Sequence, residues 1–103
     1  MPSRLDQTFA ALADPTRRAI LARLALGEAT VAELSAPFGV SQPAISRHLK
    51  VLEAAGMIEA GQAAQTRPRR LKPEALDEVQ AYVAQLRSLS TDGLEGLGPS
   101  AAD

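Results

Sequence analysis

Pro43, Ser46, Arg47 and Lys50 fall on one side of a helix read from Ser41 to Gly56, with Gln42 at its start. Their chemistry is complementary. An amide donates and accepts in one bidentate pair, a guanidinium donates as a fork, a hydroxyl does either, and an ammonium neutralises a phosphate. That set suits the groove edges and backbone of duplex DNA. It suits the solvated face of an ordinary amphipathic helix equally well, and the helix by itself does not separate the two readings.

The helix is well specified. Ser41 is a good N-cap, since its hydroxyl accepts from backbone N–H groups left unpaired at a helix start. Gly56 is a good residue just beyond the end, because it adopts the left-handed conformation without strain. At 100° per residue Ile45, Leu49 and Leu52 form an apolar stripe opposite the polar one, so this face needs a core.

The segments before it supply that core. Leu5, Phe9 and Leu12 repeat at i, i+4, i+7, predicting a short helix that ends at Asp14-Pro15. Asp14 caps and Pro15 opens a second helix to about Leu26, with Ile20, Leu21 and Leu24 inward and Arg17, Arg18 and Arg23 outward, stopping at Gly27. Arg17 and Arg18 are placed on the surface, solvated or near phosphate. Thr30 and Glu33 have the spacing of a capping box, so a third helix starts at Val31, burying Val31, Leu34 and Phe38 and closing between Pro37 and Val40. Two short helices joined by a turn containing Gly39, the second with a polar and basic outer face, predict a helix-turn-helix.

After Gly56 the periodicity changes. Met57 to Gln62 and Thr66 to Leu71 read as extended segments of a small hairpin, with Pro68 on an edge. Arg67, Arg69 and Arg70 make the second segment basic, Arg67 and Arg69 sharing one side if it is fully extended. A basic hairpin after a helix-turn-helix is a wing; charged edges that discourage aggregation are the plainer alternative. Pro73 opens a last helix to about Leu89, in which Leu76, Val79, Val83 and Leu86 form a narrow apolar seam. The fold class expected is mainly α with a small β-hairpin. Residues 1–89 form one domain and 90–103 a disordered tail, given the Gly, Pro, Ser and Ala content there.

Composition narrows the function. In 103 residues there is room for one small domain. The formal net charge of −1 hides a division: residues 1–72 carry ten Lys/Arg and six Asp/Glu, residues 73–103 one and six. The first part is therefore basic and the second acidic. Without cysteine there are no disulfides, thiolate metal sites or cysteine nucleophiles. His48 is the only histidine and is read as a core-edge residue, a phosphate contact or a pH-sensitive group. No convergent acid, base and nucleophile set is legible, so no enzyme is expected. No apolar run approaches ~18 residues, which predicts a soluble, cytoplasmic chain.

The order of helices, wing and helix, with ALADPTRRAILARL (11–24) and SQPAISRHLKVLEAAGMI (41–58), resembles the ArsR/SmtB family of winged helix-turn-helix regulators over about residues 5–89. The resemblance implies a homodimeric transcription factor, commonly a repressor that leaves its operator on sensing an inducer. Members that sense metals carry Cys-x-Cys where this chain has Glu33-Leu34-Ser35-Ala36. Others bind zinc through Asp and His, where only Asp77 and Glu78 remain, so neither metal site nor a cofactor is expected. Two alternatives stay open, a small apolar inducer held in a pocket between the terminal helices and no ligand at all.

The candidate DNA-binding residues are therefore Ser41, Gln42, Pro43, Ser46, Arg47 and Lys50, with Arg67, Arg69 and Arg70 in the wing. The candidate dimer contacts are Leu5, Phe9, Leu12, Val79, Val83 and Leu86. The expected partners are pseudo-palindromic double-stranded operator DNA and a second copy of the chain. The rival reading is a winged-helix module for protein contact, against which Arg47 and Lys50 speak.

Overall fold

The computed structural model describes residues 3–62 and 66–97, with side chains described up to Ser90. In chain order it contains α1 (Arg4–Leu12), α2 (Pro15–Leu24), α3 (Val31–Phe38), α4 (Gln42–Ala54), β1 (Ile58–Ala60), β2 (Arg69–Leu71), a 3-10 turn (Pro73–Leu76) and α5 (Asp77–Leu97).

Each boundary has a local cause. Ser3 and Asp6 form a capping box at α1, and Thr30 and Glu33 form the expected one at α3. Asp14 caps α2 by accepting from Arg17 N–H at 3.0 Å, and Ser41 caps α4 by accepting from Ala44 N–H at 3.3 Å. Between α3 and α4 the turn is three residues long, Gly39 to Ser41, and Gly39 has φ 62°. An L side chain at that φ is strained, so glycine makes this tight connection possible.

The core is one cluster. Ile45, Leu49 and Leu52 are completely buried, as their stripe predicts, against Ala11 of α1, Ile20, Leu21 and Leu24 of α2, and Leu34 of α3. Each such side chain contributes about 1.5–3 kcal/mol by leaving water. In α3, Val31 and Phe38 pack only partly against the cluster, whereas Ser35 is buried and its hydroxyl donates to the Ala32 carbonyl at 3.2 Å.

β1 and β2 pair antiparallel, with Ile58 opposite Leu71, Glu59 opposite Arg70 and Ala60 opposite Arg69. Ala29, just ahead of α3, forms a further antiparallel bridge with Arg69, its N–H and carbonyl both engaged, at 3.0 and 2.8 Å. The strands are shorter than the segments read from sequence, because Arg67 has φ 39° and breaks the extended run before Pro68.

Two boundaries at the end of the chain differ from expectation. Pro73 begins a 3-10 turn and the α-helix starts only at Asp77. α5 then continues to Leu97, past the Leu89 boundary where a disordered tail was expected. Ser, Thr and Gly lower helix propensity after Ser90, but no proline interrupts the segment before Pro99, and propagating a formed helix is easier than starting one. The remainder of that expected tail, 98–103, lies outside the described residues. No helix among the described residues is long and apolar enough to cross a membrane. The architecture is a winged helix-turn-helix.

Candidate nucleic-acid interface

The fold presents the N-terminal half of α4 to solvent. Gln42, Pro43, Arg47 and Lys50 are exposed, and Ser46 is half-buried. Pro43 sits in the first turn, where its missing N–H forfeits no helical hydrogen bond. Ser41 uses a lone pair on the cap and keeps its O–H as a donor. Arg47 and Lys50 form no ion pair among the described residues. Their charge is left unneutralised on a polar face held rigid by three buried side chains beneath it.

The three wing arginines part company. Arg69 lies mostly buried: its Nε donates to Glu53 Oε1 on α4 at 3.2 Å, and its Nη1 donates to the Arg67 carbonyl. Arg70 leaves the opposite face of β2 and pairs with Glu59 directly across the hairpin, Nε to Oε1 at 2.7 Å, with both side chains exposed. Arg67 is exposed and precedes the strand, so it does not share a side with Arg69 through strand alternation.

His48 sits at the core edge, its Nδ1 3.9 Å from Asp14 Oδ2. The Asp14 carboxyl is held below its ordinary range, chiefly by the Arg17 backbone N–H, with smaller help from the charges of His48 and Arg17. Arg17 and Arg18 do not simply point to solvent. Arg17 donates through Nε to the Ala11 carbonyl at 2.8 Å and through Nη2 to the Ala10 carbonyl at 3.0 Å, and Arg18 donates to the Leu12 carbonyl at 2.7 Å. They satisfy the last carbonyls of α1, a helix with no basic residue in its own final turn.

α1 and α5 leave an apolar surface uncovered. Val83 and Leu86 are 45% and 48% exposed, and Leu89 and Phe9 are exposed as well. Phe9 meets Tyr82 edge to face, with ring centroids 5.7 Å apart. Leu5, Leu12 and Val79 are half-buried, and Leu12 and Leu76 pack on the core. A groove of about 600 Å³ runs along α5 past Pro73, Leu76, Val79 and Val83, and a second of about 460 Å³ lies where Ala10 and Ala11 meet Val51 and Ala54. Neither corresponds to the expected space between the terminal helices. Sequence reasoning missed Glu53, Tyr82 and the capping role of Arg17 and Arg18. A lone carboxylate in the last turn of a helix, where the dipole disfavours it, was the available signal for Glu53.

The bacterial regulatory protein, arsR family, matches residues 14–60, from the α2 cap to the end of β1. Over 98 residues the chain is 38% identical to the HTH-type transcriptional regulator Rv2034 of Mycobacterium tuberculosis, covering 95% of this chain and 92% of that protein. This chain belongs to the ArsR family. A shorter match, 41% identical over 54 residues, is to the transcriptional repressor SdpR of Bacillus subtilis and covers 52% of this chain and 60% of that protein. Among solved structures, the ArsR-like transcriptional regulator from Rhodococcus sp. RHA1 aligns at a TM-score of 0.87 and 26% identity over 96% of this chain and 91% of that one. The family consists of transcriptional regulators with a winged helix-turn-helix DNA-binding domain, and the resemblance carried by the two sequence motifs holds for this member.

Proposed function

We propose that this ArsR-family chain is a homodimeric, cytoplasmic repressor that binds a pseudo-palindromic operator, its α4 in the major groove and its wing on the flanking minor groove or backbone. The observation that carries the reading is the exposed face of α4, where Gln42 presents its amide and the charges of Arg47 and Lys50 have no carboxylate partner among the described residues. A major groove is wide enough for a helix and displays a distinct donor and acceptor pattern at each base pair. Gln42 suits adenine and Arg47 suits guanine or phosphate. Ser41 and Ser46 reach phosphate or base edges, Pro43 touches a thymine methyl, and Lys50 neutralises a phosphate. Arg67 and Arg70 extend the contact through the wing.

Dimerisation is supported by the uncovered apolar residues of α1 and α5, since a surface patch of this kind ordinarily seats a partner. Leu5, Phe9, Leu12, Val79, Val83 and Leu86 would lie there, with Tyr82 added. Two copies related by a two-fold axis require half-sites about 10 bp apart, or a multiple of it. The likeness to a named repressor supports repression by occlusion. Residues 1–89 suffice for both activities in this reading.

The test is a gel shift on the promoter of the chain's own operon, titrated with salt. Tight binding that falls steeply with salt and exceeds binding to random duplex supports the reading. Equal, weakly salt-dependent binding to both duplexes would overturn it in favour of a protein-contact module.

A further inference from the structure

We infer that Glu53 and Arg69 form a strut that sets the wing against the recognition helix, so that Arg69 is a positioning residue for DNA binding and not a DNA contact. The inference rests on the DNA-binding reading above and narrows it.

Arg69 is fixed from three directions. Its backbone N–H and carbonyl are both taken by Ala29, ahead of the helix-turn-helix. Its Nε is held at 3.2 Å by Glu53, in the last turn of α4, and its Nη1 donates to the carbonyl of Arg67. The side chain is only 16% exposed. Glu53 has its own reason to keep it. The C-terminal end of a helix is negative, α4 has no basic residue in its last turn, and a carboxylate there is disfavoured until a cation joins it. Arg69 supplies that cation from the wing.

The neighbouring arginines are placed differently. Arg70 leaves the opposite face of β2, and its pair with Glu59 is exposed on both sides, so a phosphate can replace that carboxylate at small cost. Arg67 is exposed at φ 39°, and its carbonyl accepts a hydrogen bond from the Arg69 side chain. The strut thus orders the wing residue that faces outward. Its own cation is spent inside the protein.

The two roles predict opposite signs for one substitution. If Arg69 gripped phosphate, Glu53→Gln would remove a competitor and tighten binding. As a strut partner, Glu53→Gln weakens operator binding about tenfold, the worth of one charge-assisted hydrogen bond, and leaves the slope of log affinity against log salt unchanged. Arg69→Gln does the same, the double variant is no worse than either single one, and exchange of the charges, Glu53→Arg with Arg69→Glu, recovers most of the affinity. A salt slope lower by about 1 in Arg69→Gln is the signature of a lost phosphate contact and overturns the inference. Amide hydrogen exchange of the free protein tests the strut without DNA: Glu53→Gln speeds exchange at Ala29 and Arg69, and unchanged protection there sinks the idea. Should the unaltered chain fail to prefer its operator, the functional reading falls while the exchange result still judges the strut.

Discussion

Asp14 Oδ2 lies 3.9 Å from His48 Nδ1 while accepting the backbone N–H of Arg17 at 3.0 Å, so one carboxylate both caps α2 and faces the middle of α4. Its hydrogen bond to Arg17 depresses the carboxyl's pKa in the folded state, and the Thr30 backbone N–H does the same for Glu33. A depressed folded value means stability that is present above the unfolded value and lost as pH falls through the folded one. Urea midpoints are therefore expected to drop below about pH 4. Asp14→Asn with Glu33→Gln keeps side-chain acceptors but removes both titrations, so the variant loses less of its stability between about pH 5 and about pH 2. An acid limb as steep as in the unaltered chain would refute the assignment.

Arg47 stands on the exposed face of α4 with no carboxylate partner among the described residues. Arg47→Ala is expected to cost about 1–3 kcal/mol of operator affinity and to relax preference at one base position, since a bidentate base contact carries that much discrimination. Binding to a library of single-base operator variants measures it. An unchanged preference profile would move Arg47 to the phosphate backbone.

Val83 and Leu86 are about half exposed on α5, and Leu5 of α1 is half-buried. A glutamate in place of any of the three would bury an unpaired charge in the proposed interface, and the dimer should give way to monomer in sedimentation equilibrium. A glutamate variant that sedimented as a dimer would place the interface elsewhere. Lys50→Glu, on the exposed polar face of α4, should stay dimeric and lose DNA.

Gly39 has φ 62° and open space where a Cβ would project. Gly39→Ala should therefore lower stability through backbone strain alone, by about 1–2 kcal/mol. Asparagine, which tolerates the left-handed region better, should cost less. Thermal melts of the two variants give the order, and equal losses would point to a clash the geometry does not contain.

The helical frame was legible because its signals are local. Ser41, Thr30, Glu33, Asp14 and Pro15 act within one turn of where they sit, and Ile45, Leu49 and Leu52 declare their burial by spacing alone. The wing was half legible. Its place and charge follow from the run of arginines, but the positive φ at Arg67 separates residues that alternation alone would align. What Arg69 does depends on Glu53, sixteen residues away, and on the Ala29 backbone, which no periodicity reports. The same applies to Arg17 and Arg18. Their outward face on α2 is the inward face of the corner with α1, a relation set by helix packing.

The Ala29 to Arg69 bridge also bears on assembly. It joins a residue ahead of α3 to one beyond α4, so the whole helix-turn-helix lies inside the loop it closes. Closing a loop of that length before its contents have packed is entropically unfavourable. That tie is therefore expected to close after the helices it encloses have packed. A partly opened chain keeps its basic helices but lacks the tie between wing and helix-turn-helix, and it is expected to compete poorly for the operator until that tie is made.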